Sequence, residues 1–252
     1  MAREQGVRLV CFAHAGAGTS AFHRWNELIG PGATPEPRLL PGRDGRRRET
    51  AVTTREALLD DLAGLLEEQP DTPDTPDTPD TPYVLYGHSL GALVAYTLTR
   101  ALHAKGLPLP ALLAVGGCPP PDAPGGLASA ADAPDDELLG ILESFDAVPP
   151  DTDPGVFHRF VFPVLREDLR LAAHLRAAAL DPSTGGPVPV PLLAVSGSED
   201  PVGPAALLEG WRGWTTERFV SRTVPGGHFF VRDGELPRLL GRACRIVGRA
   251  GR

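Results

Sequence analysis

The sequence is poor in cysteine and has no long hydrophobic run. Its 252 residues include three cysteines, Cys11, Cys118 and Cys244, which excludes a disulfide framework, matches no zinc motif and fits a reducing cytoplasm. No apolar stretch approaches the roughly 18 residues of a membrane span, and the opening MAREQGVRLV is not expected to be a signal peptide. The formal net charge of −8 disfavours a nucleic-acid partner, because such proteins neutralise phosphates. We therefore expect a cytoplasmic protein that binds neither membrane nor nucleic acid.

What the chain does contain is an alternation of short β-prone runs and helical patterns, which is typical of parallel strands joined by helices. The strands are predicted at residues 7–12, 83–87, 111–117, 190–197 and 218–224. Helices are predicted at residues 54–69, 90–106 and 236–249, with Thr54 as a helix cap. Because the strands are apolar on both faces, helices should cover both sides of the sheet. The predicted fold class is α/β, a mostly parallel, doubly wound sheet in one domain spanning residues 1–252.

Two segments interrupt this alternation. Residues 71–82 are four copies of Asp-Thr-Pro, and proline at every third position excludes a helix, so this repeat is interpreted as an extended surface loop. The stretch between the predicted strands at 111–117 and 190–197 is much longer than a crossover connection needs. Its helical patterns predict an insertion at about 119–187 that forms a lid over the site, with a plain helical decoration as the alternative.

The segment Gly87-His88-Ser89-Leu90-Gly91 matches the G-x-S-x-G pattern of a nucleophile elbow. The pattern alone is weak evidence, since a chain with 29 glycines would contain it by chance in roughly a tenth of cases. Its position is more informative, because a predicted strand precedes it and a predicted helix follows. The glycines permit a sharp turn, and the helix N-terminus favours a developing oxyanion. Ser89 is therefore the predicted nucleophile.

A catalytic serine needs a base and an acid that orients the base. His228 follows the last predicted strand in a glycine-rich turn, and Asp200 follows the carboxyl end of the strand at 190–197, the edge where open parallel sheets bind ligands. The order Ser89, Asp200, His228 is that of the α/β-hydrolases. We predict His228 as the base and Asp200 as its partner. Glu199 in the acid role, or a mere turn role for Asp200, remains open.

The loop after the first strand should supply part of an oxyanion hole. Its residues are small enough for a backbone amide to approach a substrate, and we predict the N–H groups of Ala15 and Leu90 as the two donors. His14 in the same loop could act as a second base, but a satisfied loop histidine is the favoured interpretation. His88 is predicted to point away from Ser89 and to be structural.

Two further sets of residues have reactive side chains. Cys11 and Cys118 are interpreted as inert buried thiols, since no cation lies near either in the sequence. The arginine-rich stretch at 42–49 is interpreted as a solvated loop, with a docking patch for an anionic group or acidic partner as the alternative. No metal ligand set is expected.

Several motifs, in the right order, resemble those of the type II (external, editing) thioesterases of polyketide and nonribosomal peptide pathways, members of the α/β-hydrolase superfamily. The matching segments are Cys11-Phe12-Ala13-His14-Ala15-Gly16 (similar to FPHAG), Pro41-Gly42-Arg43 with Arg46 (PGRxxR), Tyr86-Gly87-His88-Ser89-Leu90-Gly91-Ala92 (FGHSMGA), Leu165-Arg166-Glu167-Asp168 (LRAD), Gly197-Ser198-Glu199-Asp200-Pro201 with a following Trp211 (GxxDP), and Gly227-His228-Phe229-Phe230 (GGHFF). Ala13, Leu90 and Glu167 depart from the usual proline, methionine and alanine. None of these departures removes a predicted catalytic group.

The resemblance implies a serine thioesterase that releases acyl groups from the phosphopantetheine thiol of acyl or peptidyl carrier proteins and so clears stalled or misprimed synthases. No cofactor or metal is implied, and we expect a monomer. In the predicted lid, Phe157, Phe160, Phe162 and Leu165 should bound an acyl and phosphopantetheine channel. A general carboxylester or acyl-CoA hydrolase, an acyltransferase and a non-enzymatic synthase partner remain alternatives, because one fold supports many functions.

Overall fold

Six parallel strands form the central sheet in the part of the chain that the structure describes. The computed structural model describes residues 6–67, 82–124, 130–145, 147–148 and 153–250. The strands are β1 (Val7–Phe12), β2 (Ala33–Arg38), β3 (Tyr83–His88), β4 (Leu112–Gly116), β5 (Leu192–Gly197) and β6 (Phe219–Val224), in the order β2-β1-β3-β4-β5-β6. Every neighbouring pair is parallel. All five predicted strands are confirmed, with bounds that differ by no more than two residues.

Strand β2 was not predicted from the sequence. Its six residues, ATPEPR, include Pro35 and Pro37, and proline normally argues against a strand because it cannot donate to the ladder. β2 lies at the edge of the sheet and, among the described strands, pairs with β1 alone. An edge strand needs donors on one side alone, which explains why two prolines are tolerated here.

Helices cover both faces of the sheet, as the doubly wound pattern predicts. The helices are α1 (Trp25–Leu28), α2 (Arg55–Asp61), α3 (Ala63–Glu67), α4 (Leu90–Ala104), α5 (Asp135–Glu143), α6 (Pro154–Val156), α7 (Phe162–Leu180), α8 (Ala205–Leu208) and α9 (Glu235–Ala250). In β3, Leu85 packs with α4 in one buried cluster, whereas Val84 and Tyr86 pack with α1 and α9 in another. This alternation follows from the two-residue period of a strand. None of the helices in the described ranges is both long and apolar enough to cross a membrane.

The predicted helix at 54–69 is divided into α2 and α3 at Leu62, whose φ of −91° and ψ of 7° leave the helical region. Thr54 caps α2 as predicted, since its side chain accepts a hydrogen bond from the N–H of Ala57 at 3.2 Å. The residues after Glu67 in the predicted helix lie outside the described residues, as does the Asp-Thr-Pro repeat up to residue 81.

The predicted insertion lies between β4 and β5 and contains α5, α6 and α7. A single π-helical turn, Phe157–Val161, connects α6 with α7. The insertion has its own small core, formed by Ala130, Ala131, Leu138, Phe157, Phe162, Leu165 and Leu169. α7 also packs against α4 and α2 of the main sheet layer, which attaches the insertion firmly to the rest of the fold. One domain for the entire chain stays a prediction.

Candidate active site

Ser89 lies at a sharp turn between β3 and α4. Its φ of 54° and ψ of −117° are strained for a residue with a side chain. The N–H of Ser89 donates to the carbonyl of Gly116 on β4 at 2.8 Å, which fixes the turn against the sheet. The residue is partly exposed. The predicted nucleophile therefore has the backbone conformation of an elbow and is accessible to a substrate.

The two glycines of the elbow are required by close backbone contacts. A Cβ on Gly87 would lie 1.9 Å from the carbonyl oxygen of Gly91, and a Cβ on Gly91 would lie 2.1 Å from the carbonyl oxygen of Phe12. Neither neighbour is a side chain that could rotate away. Glycine at both positions thus allows α4 to start directly against β3 and β1.

His228 and Asp200 form a buried hydrogen-bonded pair. The Nδ1 atom of His228 lies 3.0 Å from Oδ1 of Asp200, and the two residues are each 3% exposed. Asp200 follows β5 and His228 follows β6, so parallel strands bring both to the edge at which Ser89 follows β3. Glu199 is exposed. The geometry therefore favours Asp200 over Glu199 as the partner of His228.

Hydrogen bonds keep Asp200 in its charged form. Burial alone would raise the pKa of Asp200, but the hydrogen bond and charge of His228, with the N–H groups of Gly203 and Val202, bring it below the usual value. The two amides donate to Oδ1 at 3.1 Å and 2.9 Å. Oδ2 is buried and has no hydrogen-bond partner among the described residues. A carboxylate held this way can stabilise a positive imidazole at His228.

His88 supports the loop of His228 through a hydrogen bond to its backbone. Its Nδ1 lies 2.9 Å from the hydroxyl of Tyr86, and its Nε2 lies 2.8 Å from the carbonyl oxygen of His228. A carbonyl only accepts, so Nε2 donates and Nδ1 accepts from the tyrosine. Burial, with the charges of His228 and His14, holds the pKa of His88 well below its usual value. The neutral ring therefore fixes the backbone of His228.

A small cavity of about 50 Å³ lies beside Ser89. Ala15 and Leu90, the predicted oxyanion donors, both line it with Ser89. Leu90 is the first residue of α4, where N–H groups have no acceptor within the helix. In the loop after β1, the amides of Gly16 and Ala17 are used, whereas no acceptor for the Ala15 amide is found among the described residues. Two N–H donors are thus available next to the serine.

A second, larger cavity of about 360 Å³ shares Ala15 with the first. Two of the four predicted channel residues, Phe157 and Leu165 of the insertion, line this cavity. The structure does not bring the other two predicted channel residues there. Phe162 is buried in the core of the insertion, and Phe160 is 64% exposed and lines neither cavity.

His14 lines the larger cavity and has fewer hydrogen bonds than the sequence-based interpretation expected. Its Nδ1 is buried without a hydrogen-bond partner in the described part of the chain. Burial, together with the positive charges of Arg232 and His228, lowers the pKa of His14 to about 3. A ring with so low a pKa stays neutral and is a poor proton acceptor near pH 7.

The other candidates are the two cysteines and the arginine-rich stretch, and the structure shows buried thiols and paired arginines there. Burial raises the pKa of Cys118 to about 12 and that of Cys11 well above its usual value, so neither thiol is a ready nucleophile. In the arginine-rich stretch, Arg43 pairs with buried Asp168, and Arg46 pairs with Glu49 and Asp61. Sequence reasoning missed these pairings, although the motif resemblance drew attention to Arg43, Arg46 and Asp168. Among the described residues, no group of metal-ligating side chains is assembled.

Comparisons with known proteins identify the family of the chain. The family model of the thioesterase domain matches residues 7–245. Thioesterase PikA5 of Streptomyces venezuelae is 31% identical over 92% of this chain and 78% of its own. The solved RedJ thioesterase of the prodiginine pathway in Streptomyces coelicolor is 34% identical, with a TM-score of 0.80 over 94% of this chain and 85% of its own. The type II thioesterase BorB of the borrelidin cluster is 26% identical, with a TM-score of 0.75 over 95% and 93%.

Proposed function

The chain belongs to the thioesterase domain family, and from that premise we propose that it releases acyl groups from the phosphopantetheine thiol of carrier proteins. The carriers are acyl or peptidyl carrier domains of a polyketide or nonribosomal peptide synthase, and the reaction clears stalled or misprimed acyl groups. Relatives named for the prodiginine and borrelidin pathways support this assignment. The single observation that carries the chemistry is the buried pair of His228 and Asp200 at the sheet edge where Ser89 forms its elbow.

The proposed reaction is acyl transfer in two steps. His228 removes the proton of the Ser89 hydroxyl as the serine oxygen attacks the thioester carbonyl, and Asp200 stabilises the imidazolium that forms. The N–H groups of Ala15 and Leu90 bind the oxyanion. The thiol leaves with a proton from His228, and water then hydrolyses the acyl-enzyme with the same residue as base. Thioesters are activated, so these residues suffice without a metal or cofactor.

The larger cavity would receive the substrate. Its volume of about 360 Å³ lies within the range of small-molecule sites, and Ala15 connects it to the small cavity that Ser89 lines. Phe157 and Leu165 of the insertion form part of its wall. In this proposal the insertion is a lid, and substrate reaches Ser89 between the lid and the loop after β1.

The direct test is acyl release from a panel of acylated carrier proteins and from the matching acyl-coenzyme A, followed by intact-protein mass spectrometry. We expect faster release from the carriers, and loss of release in Ser89→Ala. Ser183→Ala is the matched control, because Ser183 is exposed on the turn after α7, away from the site. Equal or faster turnover of the small thioester would indicate a general acyl-thioester hydrolase. Undiminished release by Ser89→Ala would refute the proposed nucleophile.

A further inference from the structure

A buried ion pair outside the proposed catalytic groups joins α7 of the insertion to the loop after β2, and it also contacts the loop after β1. Asp168 on α7 is 1% exposed and Arg43 is 7% exposed. The guanidinium binds the carboxylate with two parallel hydrogen bonds, Nη1 to Oδ2 at 2.7 Å and Nη2 to Oδ1 at 2.6 Å. This two-point contact fixes the relative orientation of the carboxylate and the guanidinium as well as the distance between them.

The same pair holds the backbone next to Ala15. The N–H of Gly16 donates to Oδ2 of Asp168 at 2.7 Å, and Nη1 of Arg43 donates to the carbonyl of Ala17 at 3.2 Å. Gly16 has a φ of +76°, a conformation that glycine adopts readily and that makes the loop adjustable in the absence of outside contacts. The carboxylate thus holds the Gly16 N–H, directly after Ala15, and the guanidinium holds the Ala17 carbonyl.

Stability alone is a poor explanation for this arrangement. Burial of a charged pair carries a large desolvation penalty, and well-packed apolar side chains often give equal or greater stability. Apolar side chains, however, accept no hydrogen bond, so they cannot hold a backbone N–H in a fixed direction. The direction matters because the bonded N–H belongs to Gly16, which follows Ala15, and Ala15 lines both cavities.

We propose that Asp168 and Arg43 are positioning residues that hold the Ala15 amide in the oxyanion hole. This inference rests on the proposed function, because the hole matters only if an acyl group is transferred at Ser89. Neither residue needs to touch the substrate. They act through the Gly16 and Ala17 peptide groups, and their loss should impair stabilisation of the transition state more than substrate binding.

The test compares Asp168→Asn with Asp61→Asn. Asparagine at 168 can still accept from Gly16, but its amide cannot bind the Arg43 guanidinium at two points. Asp61 pairs with Arg46 in the same arginine-rich stretch at 2.5 Å, so Asp61→Asn removes a neighbouring ion pair that does not contact Gly16. With propionyl-N-acetylcysteamine as substrate, Asp168→Asn should lower kcat by about 10- to 100-fold with KM changed less than about twofold. Asp61→Asn should keep the wild-type kcat.

A second readout separates positioning from general loss of structure. A propionyl-like trifluoromethyl ketone forms a tetrahedral adduct with a serine hydroxyl, and its affinity should fall in Asp168→Asn by about the same factor as kcat. If Asp168→Asn does not fold, Arg43→Lys decides, because lysine retains the positive charge beside Asp168 but loses the two-point contact. It should lower kcat at an unchanged KM.

The outcomes are distinguishable. A kcat of Asp168→Asn equal to that of Asp61→Asn, or a loss carried by KM alone, would overturn the positioning role. For an unfolded Asp168→Asn, a wild-type kcat in Arg43→Lys would do the same. If the wild type hydrolyses only the matching oxygen ester, the proposed thioesterase function fails. The same variant comparison on the ester then still tests the hole, since both substrates pass through an oxyanion.

Discussion

Replacement of Gly91 by alanine should disable the enzyme through a displacement of less than an ångström. The new Cβ would lie 2.1 Å from the carbonyl oxygen of Phe12, where real Cβ atoms stay beyond 3.0 Å, so α4 must move away from β1 by about 0.9 Å. Ser89 directly precedes α4, and Leu90 is its first residue. A misplacement of roughly 1 Å in reacting groups lowers the rate by about 100-fold. The strain should also reduce the free energy of unfolding by about 1–3 kcal/mol.

The assay is kcat for an acyl-N-acetylcysteamine thioester, with urea denaturation to measure the free energy of unfolding. Gly64→Ala is the matched control, since Gly64 lies on α3 and a Cβ there would have no atom within 4 Å. It should keep the wild-type kcat and raise the free energy of unfolding by up to about 1 kcal/mol. A Gly91→Ala variant with wild-type kcat and stability would refute the steric argument for the elbow.

Three further outcomes follow from the same structure. Asp200→Asn should lower kcat by about 10⁴-fold, because asparagine neither stabilises the imidazolium of His228 nor selects its tautomer; an unchanged kcat would remove Asp200 from the mechanism. His14, with its pKa of about 3, and His88 are neutral when folded, whereas both bind protons below about pH 6.5 when unfolded. Above pH 6.5 the two histidines leave the free energy of unfolding independent of pH, whereas below it each histidine that is neutral only in the folded state should lower the free energy of unfolding by about 1.4 kcal/mol per pH unit. For His14 this decrease should continue down to about pH 3. Urea titrations that give the same value at pH 6.5 and pH 4.5 would contradict this. Thr54→Ala should reduce the free energy of unfolding by about 1 kcal/mol through loss of its hydrogen bond to the Ala57 N–H, and no change in the urea midpoint would show that the cap is energetically silent.

The fold was predictable wherever local pattern and burial agree. The apolar runs that became β1 and β5 are buried along most of their length, so their hydrophobicity identifies them directly. β2 could not be found this way, because Pro35 and Pro37 are compatible with a strand only at an edge, and edge position is a property of the whole sheet. The break at Leu62 also has no local signal, since the leucine pattern continues across it.

In the candidate site, too, locally encoded features were predictable and long-range contacts were not. The sharp turn at Ser89 follows from the elbow motif, and the order of Asp200 and His228 predicted a pair whose side chains lie 3.0 Å apart in the structure. The pairing of Arg43 with Asp168 spans 125 residues, and no sequence spacing indicates which of many charged residues will meet. The exposure of Phe160 depends likewise on how the insertion packs. Long-range partners are fixed by tertiary structure and not by local pattern.

The prolines of β2 have a consequence for how the protein behaves at high concentration. In a parallel ladder, alternate residues direct their N–H groups to opposite sides, so Pro35 and Pro37 share one side of the strand. Because β1 requires donors, the side that lacks them faces outwards. A strand from a second molecule would find neither N–H there and could not extend the sheet. This edge is therefore protected against strand-to-strand aggregation by its own sequence.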